Sequence, residues 1–574
     1  MKKLRELLTY LPKSIVSGSY ETPVSAIVYD SRKVVPNCLF IALRGVKGDG
    51  HSYINQALAA GASVIVAEIA PPVESHAVWI HTPDTRAALA ALSRAWFGDP
   101  SQKLLVAGVT GTNGKTTTAF ILQHLLKAAY LRCGLIGTIH FDNGEEIRAA
   151  SHTTPESLEL QELLAEIRDN GCRAVVMEVS SHALDQRRVN GMKFDVAIFS
   201  NLTQDHLDYH HNMEDYFAAK VRLFEMTLEN PRGALVINGD DPFGRRLIQR
   251  FDKHPRVFVY GVGTNCTYRA VSPKWNVDGM QFQLMAGGRQ FLVRSPLTGK
   301  FNLYNCLAAI TAAHALKLNL RESIENLATA PQIPGRMEVV PVMASFKVFV
   351  DYAHTPDALE NVLNTIRELE PKRIITVFGC GGDRDKGKRP LMGGVSDRLS
   401  TISVVTSDNP RTEDPMAIIE DIKPGFRQGT FTVIPDRREA IRWAVDTAGP
   451  HDIVLIAGKG HETYQEINGE RHKFDDRMEA RNAIRDWIAE KQRIAKERLE
   501  EKAQYKLQRQ WEDEEYAAES EALAKEDQAR KAEYSYSEFS EYEGLGEETT
   551  LITEPSAEPE KKNLDWEQSD SSSV

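Results

Sequence analysis

The chain has 574 residues, of which 42% are hydrophobic and 26% charged, a composition typical of globular proteins and a length that suggests roughly three or four domains. Its formal net charge of -11 argues against nucleic acid as the main partner, because a phosphate backbone requires clustered cations. Six cysteines without a C-x-x-C pair favour neither a zinc site nor a disulfide framework. No apolar run of about 18 residues and no signal-peptide core occur, so we expect a cytoplasmic protein without membrane insertion.

The chain begins with short apolar runs that alternate with turns and helical stretches, which predicts a small α/β domain over residues 1–102. Over residues 103–333 the order becomes strand, glycine loop, helix and strand, as in a parallel sheet with crossover helices. Predicted strands such as RAVVMEV, DVAIFSNL and GALVINGD run into polar residues at their carboxyl ends. Open α/β sheets bind ligands at that edge.

A second doubly wound α/β pattern occupies residues 334–491, with the predicted strands VFVDYA, IITVFGC, ISVVTSD and DIVLIAGKG. Charged residues dominate from residue 492, which predicts an extension over residues 492–574. Its first part has the Glu and Lys or Arg spacing of a solvated helix, and roughly its last thirty residues have the composition of a disordered segment. The sequence therefore predicts three α/β domains and a separate tail.

The stretch TGTNGKTT lies between the apolar run LLVAGV and the helical stretch TAFILQHLLKAAY. Gly111 and Gly114 free the backbone to approach an anion, Lys115 supplies a positive charge, and Thr116 offers a hydroxyl to Mg²⁺. Val109 stands where the common phosphate-loop pattern has a glycine, so the spacing is unusual. We interpret the stretch as a phosphate loop rather than an ordinary glycine turn.

This loop and several later blocks resemble the Mur ligase family of ATP-dependent, amide-forming enzymes. The blocks occur in consistent order: HTTPES, MEVSSHAL, SNLTQDHLDYH, DYFAAK, GKFNLYNCLAAI, PGRME, VDYAHTPDAL, GCGGDRDKGKRPLM, SDNPRTEDP and AGKGHETYQ. The resemblance implies a UDP-substrate-binding domain at 1–102, a central ATP-binding domain at 103–333 and an amino-acid-binding domain at 334–491. The tail at 492–574 departs from the family, whose members usually end soon after FDDRMEA.

Within the family, the blocks are most similar to members that add meso-2,6-diaminopimelate to UDP-N-acetylmuramoyl-L-alanyl-D-glutamate in peptidoglycan precursor synthesis. In the implied reaction ATP phosphorylates the side-chain carboxylate of D-glutamate, and the amine of diaminopimelate attacks the resulting acyl phosphate. Phosphoryl transfer between two anions depends mainly on positioning and charge neutralisation. The implied cofactors are ATP and Mg²⁺.

The resemblance also assigns the residues that would contact ATP and the metal. Glu178 and His206 match family Mg²⁺ ligands beside Thr116, and Lys220 matches a lysine that the family carbamylates and uses as an oxygen ligand. Without the family, Lys220 is a helix lysine paired with a nearby acid. The matched ATP-binding set is Gly111, Thr112, Asn113, Gly114, Lys115, Thr116, Thr117, Asn305, Arg336 and Asp351.

Arg336 matches an arginine that reaches the γ-phosphate from the start of the third domain. If it completes the site only when that domain closes, closure excludes water from the acyl phosphate. Without the family, Arg336 is a surface charge at a loop end. The implied catalytic set is Lys115, Lys220, Glu178, His206 and Arg336.

Residues of the first two domains match positions that bind the UDP substrate. His152 stands where some family members have asparagine, and Ser31 is equally suited to cap a helix. The matched set is Ser31, Val46, Lys47, Gly48, His152, Thr153, Thr154, Ser180, Gln186 and Arg188.

The motif DNPR is present in family members that add diaminopimelate, whereas lysine-adding members lack its arginine. Diaminopimelate has a second carboxylate, which a guanidinium can bind through two parallel hydrogen bonds. Arg384 and Arg411 would bind that carboxylate, and Glu462 with the Gly458 carbonyl would bind its ammonium. The alternative is a turn arginine after proline. The matched set is Arg384, Asp408, Asn409, Pro410, Arg411, Gly458 and Glu462.

Two other functions compete with this prediction. The first is a ligase of the same superfamily that adds another amino acid, or glutamates to folate; the order HTTPES, DNPR, GKGHE argues against it. The second is a catalytically silent scaffold that binds a protein partner through its tail. The intact residues Lys115, Glu178, His206 and Lys220 argue against a silent scaffold, although the tail is still a candidate surface for a protein partner.

Overall fold

The computed structural model describes residues 1–537 except residues 12, 46–47, 73–75, 207–208, 342–343 and 428–429. Residues Met1–Ala489 form one compact unit, and the chain from Glu490 onward forms a second. Within the first unit, the described strands form three large sheets and two small ones, and each large sheet uses one continuous segment of the chain.

The N-terminal segment folds as a mostly parallel five-stranded sheet in the order β2-β7-β6-β5-β4, in which only β2 runs antiparallel to its neighbour. The β6 residues are all buried because the sheet is covered on both faces. The elements are β1 (Lys2–Lys3), α1 (Leu4–Leu7), β2 (Ile15–Ser17), β3 (Pro23–Val24), β4 (Ile27–Val28), β5 (Leu39–Ile41), α2 (Ile54–Ala59), β6 (Val64–Ala67), β7 (Val78–His81) and α3 (Thr85–Phe97).

The central segment forms an eleven-stranded sheet in the order β11-β10-β9-β12-β8-β13-β14-β15-β16-β17-β18. In this sheet order each strand from β9 through β12, β8, β13, β14 and β15 to β16 pairs in parallel with the next. Helices cover both faces of the sheet. The elements are β8 (Leu105–Thr110), α4 (Lys115–Ala128), β9 (Cys133–Ile136), β10 (His140–Asp142), β11 (Ile147–Ala149), α5 (Ser157–Asp169), β12 (Ala174–Glu178), α6 (Ser181–Asp185), β13 (Val196–Phe199), α7 (Met213–Leu228), β14 (Ala234–Asn238), α8 (Pro242–Arg250), β15 (Val257–Gly261), β16 (Tyr268–Asn276), β17 (Gly279–Ala286), β18 (Arg289–Ser295), α9 (Lys300–Ala315) and α10 (Leu320–Leu327).

The parallel strands confirm the α/β prediction, but the antiparallel strands at both edges of this sheet were not predicted. In β17 buried and more exposed residues alternate along GMQFQLMA, which is the signature of a strand with one covered face. That signal is present in the sequence and lies outside the strand–helix pattern on which the prediction depended.

The C-terminal segment forms a six-stranded sheet in the order β19-β20-β24-β21-β22-β23, parallel except for β19, which confirms the predicted doubly wound class. The elements are β19 (Glu338–Val339), β20 (Lys347–Asp351), α11 (Pro356–Arg367), β21 (Ile374–Phe378), α12 (Lys388–Leu399), β22 (Ile402–Val405), α13 (Pro415–Ile422), β23 (Thr430–Val433), α14 (Arg437–Thr447), β24 (Ile453–Ala457), β25 (Tyr464–Ile467), β26 (Glu470–Lys473) and α15 (Asp476–Ser537).

The helix predicted at the start of the tail is confirmed by α15. Side chains in its first turns, such as Ile484, are buried, whereas those after Glu490 are almost all exposed and form pairs such as Arg493–Glu497 at 3.0 Å. Residues 538–574, part of which we predicted to be disordered, lie outside the described residues. No helix among the described residues is long and apolar enough to cross a membrane.

Candidate active site

The glycine loop connects the buried strand β8 to α4, as the sequence predicts, and two glycines allow its tight path. Gly111 has φ of 149° and Gly114 has φ of 85°. A Cβ atom on Gly111 would lie 1.9 Å from Ser200 Oγ, and one on Gly114 would lie 2.4 Å from Asn305 Oδ1. Only glycine fits at these two positions, and the loop backbone is thereby left open to an anion.

Neighbouring side chains hold the rest of the loop. Thr112 N–H donates to the Asn201 carbonyl at 2.9 Å, and Asn113 N–H donates to Asn201 Oδ1 at 2.9 Å. Thr117 is buried in the first turn of α4. Asn305, buried on α9, accepts from Thr118 Oγ1 at 3.4 Å and therefore lies directly behind the loop.

Two lysines meet at one carbonyl of the loop. Lys115 Nζ donates to the Gly111 carbonyl at 2.9 Å, and Lys220 Nζ donates to the same oxygen at 3.0 Å. Burial lowers the pKa of Lys115; Glu178 and Asp205 oppose this shift. Burial also lowers the pKa of Lys220 well below its usual value, and the charge of Lys115 lowers it further. The site thus favours an uncharged amine at Lys220.

Glu178 ends β12 and is fixed by hydroxyl and amide donors. Its Oε2 accepts from Thr116 Oγ1 at 3.0 Å and from Thr138 Oγ1 at 3.1 Å, while Oε1 accepts from Thr138 N–H at 2.8 Å. The side chain is buried, and strand order places it beside β8 because β12 pairs with β8. The structure therefore brings Glu178 and Thr116 together, as the sequence predicts.

His206 lies in a cluster of aromatic rings next to the glycine loop. Its φ is 53°, and its ring centroid lies 4.9 Å from that of His182 and 6.1 Å from that of Tyr216. The Lys220 ammonium position lies 4.5 Å from the Tyr216 ring centroid, so Tyr216 is a common neighbour of His206 and Lys220. Backbone strain of this kind at a histidine is typical of functional positions.

The donor set suits a hard cation in its oxygen atoms. Thr116 and Glu178 place a hydroxyl and a carboxylate oxygen 3.0 Å apart in a buried setting, and Mg²⁺ prefers such ligands. No group of three or more His, Cys, Asp or Glu side chains within the described ranges is arranged to hold a metal ion. A complete cation site would therefore need the hydroxyl of Thr116 and groups supplied by the nucleotide or by modified Lys220.

Asp351 organises the loop that carries Arg336. Its buried carboxylate ends β20 and accepts from Met337 N–H at 2.6 Å and Ala353 N–H at 2.8 Å. Arg336 is partly buried, and its guanidinium carbon lies 4.7 Å from the Tyr352 ring centroid. Its positive charge adds slightly to the lowering of the Lys115 pKa, for which burial is the main cause.

The residues predicted to bind the muramoyl peptide form one contact chain next to Glu178. Thr154 Oγ1 donates to the Glu178 carbonyl at 2.9 Å and accepts from Ser180 N–H at 3.1 Å. Arg188 donates to the Thr154 carbonyl at 2.8 Å and to Gln186 Oε1 at 2.8 Å. These residues belong to separate loops and to the ends of a short helix, and the strand order of the central sheet brings them together.

Of the remaining members of that set, Thr153 also lies near Glu178, through Thr138, and the other described members do not join the contact chain. Thr153 contacts Thr138 at 3.1 Å, whereas exposed His152 has its recorded contact with Ser151. Ser31 donates to Gln56 at 3.3 Å, and the cap of its short helix is Asp30 rather than Ser31. Gly48 is exposed, and Val46 and Lys47 lie outside the described residues.

The DNPR motif belongs to a cluster of polar side chains at the edge of the six-stranded sheet, and we refer to this cluster as a pocket. Asp408 and Asn409 are buried after β22, followed by Pro410 and Arg411. Asn409 Nδ2 donates to Glu462 Oε2 at 2.8 Å. Gly458 has φ of 118°, and a Cβ there would lie 2.6 Å from Asp408 Oδ2, so the two loops meet closely.

Arg411 and Arg384 lie over the same glycine. A Cβ on Gly381 would lie 3.0 Å from Arg411 Nη1 and 3.9 Å from Arg384 Cγ. Arg411 Nη1 donates to the Gly382 carbonyl at 2.7 Å, and its Nε lies 3.4 Å from Glu466 Oε2. The exposed Arg384 has room to turn toward a ligand beside Arg411.

A buried ion pair supports both loops of this pocket from behind. Arg437 and Asp476 are fully buried, with Nη2 and Oδ2 2.7 Å apart. Arg437 also donates to the Ala457 carbonyl at 2.9 Å and the Ser407 carbonyl at 3.4 Å, at the ends of β24 and β22. The Arg437–Asp476 pair and Thr138 were not predicted, because their partners are distant in the chain. Lys459 was not predicted either, although one of its partners, Glu462, is only three residues away.

The fold and the loop define a class of protein: an α/β protein with a phosphate loop at the carboxyl edge of a parallel sheet. Comparison with known families narrows this class. Residues 109–313 match the Mur ligase middle domain, residues 335–460 the Mur ligase, glutamate ligase domain, and residues 23–97 the Mur ligase family, catalytic domain. The chain belongs to the Mur ligase family.

Two relatives are named UDP-N-acetylmuramoyl-L-alanyl-D-glutamate–2,6-diaminopimelate ligase. The protein of Syntrophomonas wolfei is 45% identical over 492 residues, covering 84% of this chain and 99% of the relative. That of Geobacter metallireducens is 44% identical over 508 residues, covering 84% and 98%. A solved structure of a ligase with the same name is 36% identical, with a TM-score of 0.63 and coverage of 85% and 99%.

Proposed function

We propose that this protein is an ATP-dependent ligase that adds meso-2,6-diaminopimelate to UDP-N-acetylmuramoyl-L-alanyl-D-glutamate during cytoplasmic peptidoglycan precursor synthesis. The observation that most supports diaminopimelate as the amino-acid substrate is the position of Arg411 and Arg384 next to Gly381. The guanidinium of Arg411 and the Cγ of the exposed Arg384 lie next to this glycine, and two guanidinium groups in reach of one point suit the second carboxylate of diaminopimelate. Lysine lacks that carboxylate.

Each of the first three segments of the chain would have a separate binding role. Residues 1–102 would bind the UDP moiety, residues 103–333 ATP and residues 334–491 the amino acid, while residues 492–574 stay outside catalysis. The separate sheets of the first three segments support this division. The contact chain from Glu178 through Thr154 to Arg188 supports a muramoyl-peptide site next to the phosphate loop.

In the first step an oxygen of the D-glutamate side-chain carboxylate would attack the γ-phosphorus of ATP. The bond from that phosphorus to the bridging oxygen breaks, and ADP leaves. Lys115 and Arg336 would stabilise the negative charge; the position of Lys115 at the Gly111 carbonyl of the glycine loop supports its part in this. Thr116, Glu178, His206 and a Lys220 carbamate would hold Mg²⁺, which when bound neutralises phosphate charge.

In the second step the neutral amine of diaminopimelate would attack the acyl carbon. The nitrogen of the tetrahedral intermediate releases its proton to solvent, the carbon–oxygen bond to phosphate breaks, and inorganic phosphate leaves to give the amide. Arg411, Arg384 and Glu462 would hold the distal end of the amino acid and thereby orient the attacking amine.

The test is phosphate release by the purified full chain with ATP, Mg²⁺ and UDP-N-acetylmuramoyl-L-alanyl-D-glutamate. We expect stimulation by meso-diaminopimelate and at least about 10⁴-fold less by L-lysine, because lysine lacks the distal carboxylate that Arg411 and Arg384 would bind. Stimulation by lysine would contradict the assignment of the pocket. No release with either amino acid would contradict the ligase and favour the silent scaffold.

A further inference from the structure

One charged side chain inside the amino-acid pocket has no role in the mechanism above. Lys459 follows β24 in the block AGKGHETYQ, and its side chain is 0% exposed. A buried ammonium is costly unless acceptors surround it. The contacts of Lys459 therefore indicate its role in the pocket.

Lys459 Nζ lies among three acceptors that belong to the pocket. It donates to Asn409 Oδ1 at 2.9 Å and lies 3.1 Å from Glu462 Oε2. The third acceptor, Asp408 Oδ1, is 3.9 Å away. A single ammonium thus joins the DNPR loop to the GKGHE loop.

These contacts set the direction of the Asn409 amide. Its oxygen accepts from Lys459 and also from Glu466 N–H at 2.9 Å. The amide nitrogen therefore turns to Glu462 Oε2, at 2.8 Å. An amide that accepts two hydrogen bonds from fixed donors has only one satisfactory orientation.

The two donors also decide which oxygen of Glu462 is available. Asn409 and Lys459 both donate to Oε2. Oε1 accepts no hydrogen bond from any group that the structure describes. A pinned carboxylate with one unused oxygen is suited to accept a hydrogen bond from an ammonium.

The charges of the cluster lead to the same conclusion. Asp408 and Glu462 bring two negative charges, and Lys459 brings one positive charge. One negative charge is left, which a single ammonium neutralises. Without Lys459 the two carboxylates would repel each other, and Glu462 would lose its fixed position.

We propose that Lys459 is a positioning residue for the distal ammonium of the amino-acid substrate: it pins Glu462 and Asn409 so that Glu462 Oε1 accepts that ammonium. The inference rests on the proposed function and adds a determinant of selectivity to it. Lys459 acts through Glu462 and does not touch the reacting atoms.

The test compares Lys459→Met with Lys473→Met, an exposed lysine of the same segment, in the full-length enzyme. Each variant is assayed with diaminopimelate and with 2-aminopimelate, which keeps the distal carboxylate and lacks the distal amine. We expect Lys459→Met to raise the KM for diaminopimelate about thirtyfold or more, to change the KM for 2-aminopimelate less than threefold, and to leave the KM for ATP unchanged. Equal losses with both amino acids would overturn the inference and assign Lys459 a structural role only.

A double-mutant cycle with Glu462→Gln gives the second measurement. If Lys459 acts through Glu462, the double variant has the same KM for diaminopimelate as Glu462→Gln alone. A further rise in the double variant contradicts the inference, and this comparison still decides if Lys459→Met alone does not fold. Absence of diaminopimelate-dependent turnover in the unsubstituted enzyme would instead refute the proposed function.

Discussion

Two lysines are equally buried in this protein and lie in opposite surroundings. Lys220 is 1% exposed and lies against the Gly111 carbonyl and the Tyr216 ring, with the charges of Lys115 and Asp205 nearby. Lys459 is 0% exposed and lies between two carboxylates and an amide oxygen. Burial by itself therefore does not decide the role of a lysine.

The groups around a buried lysine determine whether its amine is charged, and the charge determines whether it can act as a nucleophile or as a counter-charge. Around Lys220 burial and the charge of Lys115 outweigh the charge of Asp205, so its pKa falls and the nucleophilic amine is favoured. A neutral amine can react with CO₂ to form the carbamate that we propose as a metal ligand. Around Lys459 the carboxylates stabilise the ammonium, which suits a fixed counter-charge.

Removing the amine of Lys220 should have the largest effect. We expect Lys220→Met to lower kcat about 10²- to 10³-fold, because the proposed carbamate oxygens are lost. Exposed Lys103→Met is the control and should stay near the unsubstituted rate. After incubation with ¹³C-bicarbonate, a carbamate resonance should appear in the unsubstituted protein and be missing from Lys220→Met; full activity of that variant would refute the assignment.

Changing the guanidinium at the amino-acid pocket should have the next largest effect on activity. Arg411→Lys keeps the charge and removes the two-point geometry, so we expect the KM for diaminopimelate to rise about tenfold to a hundredfold. The KM for ATP should not change. An unchanged KM for diaminopimelate would favour the turn arginine that the sequence left as the alternative.

Breaking the ion pair behind the pocket should act on stability. Asp476→Asn leaves buried Arg437 without its anion, and we expect a loss of about 3–5 kcal/mol in the free energy of unfolding. The matched control is Glu479→Gln on the same helix, whose partner Arg438 is 64% exposed, with an expected loss below about 1 kcal/mol. Thermal unfolding measures both, and equal shifts would contradict the difference.

His461 should make stability fall in mild acid. Burial, with Arg336 and Arg477 nearby, lowers its pKa to about 4. Between pH 6.5 and 4 the unfolded chain binds a proton that the folded chain does not. The free energy of unfolding therefore decreases by up to about 3 kcal/mol as the pH is lowered through this range. The Tm of His461→Gln should fall less than that of the unsubstituted protein over this range. Parallel pH profiles would exclude His461 as the cause.

Removing the tail should have the smallest effect. The described side chains between residues 491 and 533 are almost all exposed, so a chain that ends at Ala489 should keep its activity within about twofold. The assay is phosphate release with diaminopimelate. A large loss would show that the tail takes part in catalysis.

Local sequence accounted for the parts of the site that are continuous in the chain. The glycine loop, the carboxylate at the end of β12 and the DNPR turn each follow a predicted strand, and the structure places them there. The antiparallel strands β16 to β18 were missed although β17 has a clear alternation. Thr138, Lys459 and the Arg437–Asp476 pair gave no comparable local signal.

The sequence by itself determined the α/β class, the position of the phosphate loop and the family, because these depend on short motifs and on the period of apolar residues. Only the tertiary structure decided which side chains face each other. Lys459 reaches Asn409, fifty positions earlier, because β24 and β22 flank β21 in one parallel sheet and both loops leave its carboxyl edge. Strand order, which no local pattern encodes, therefore determined how the buried lysines are paired.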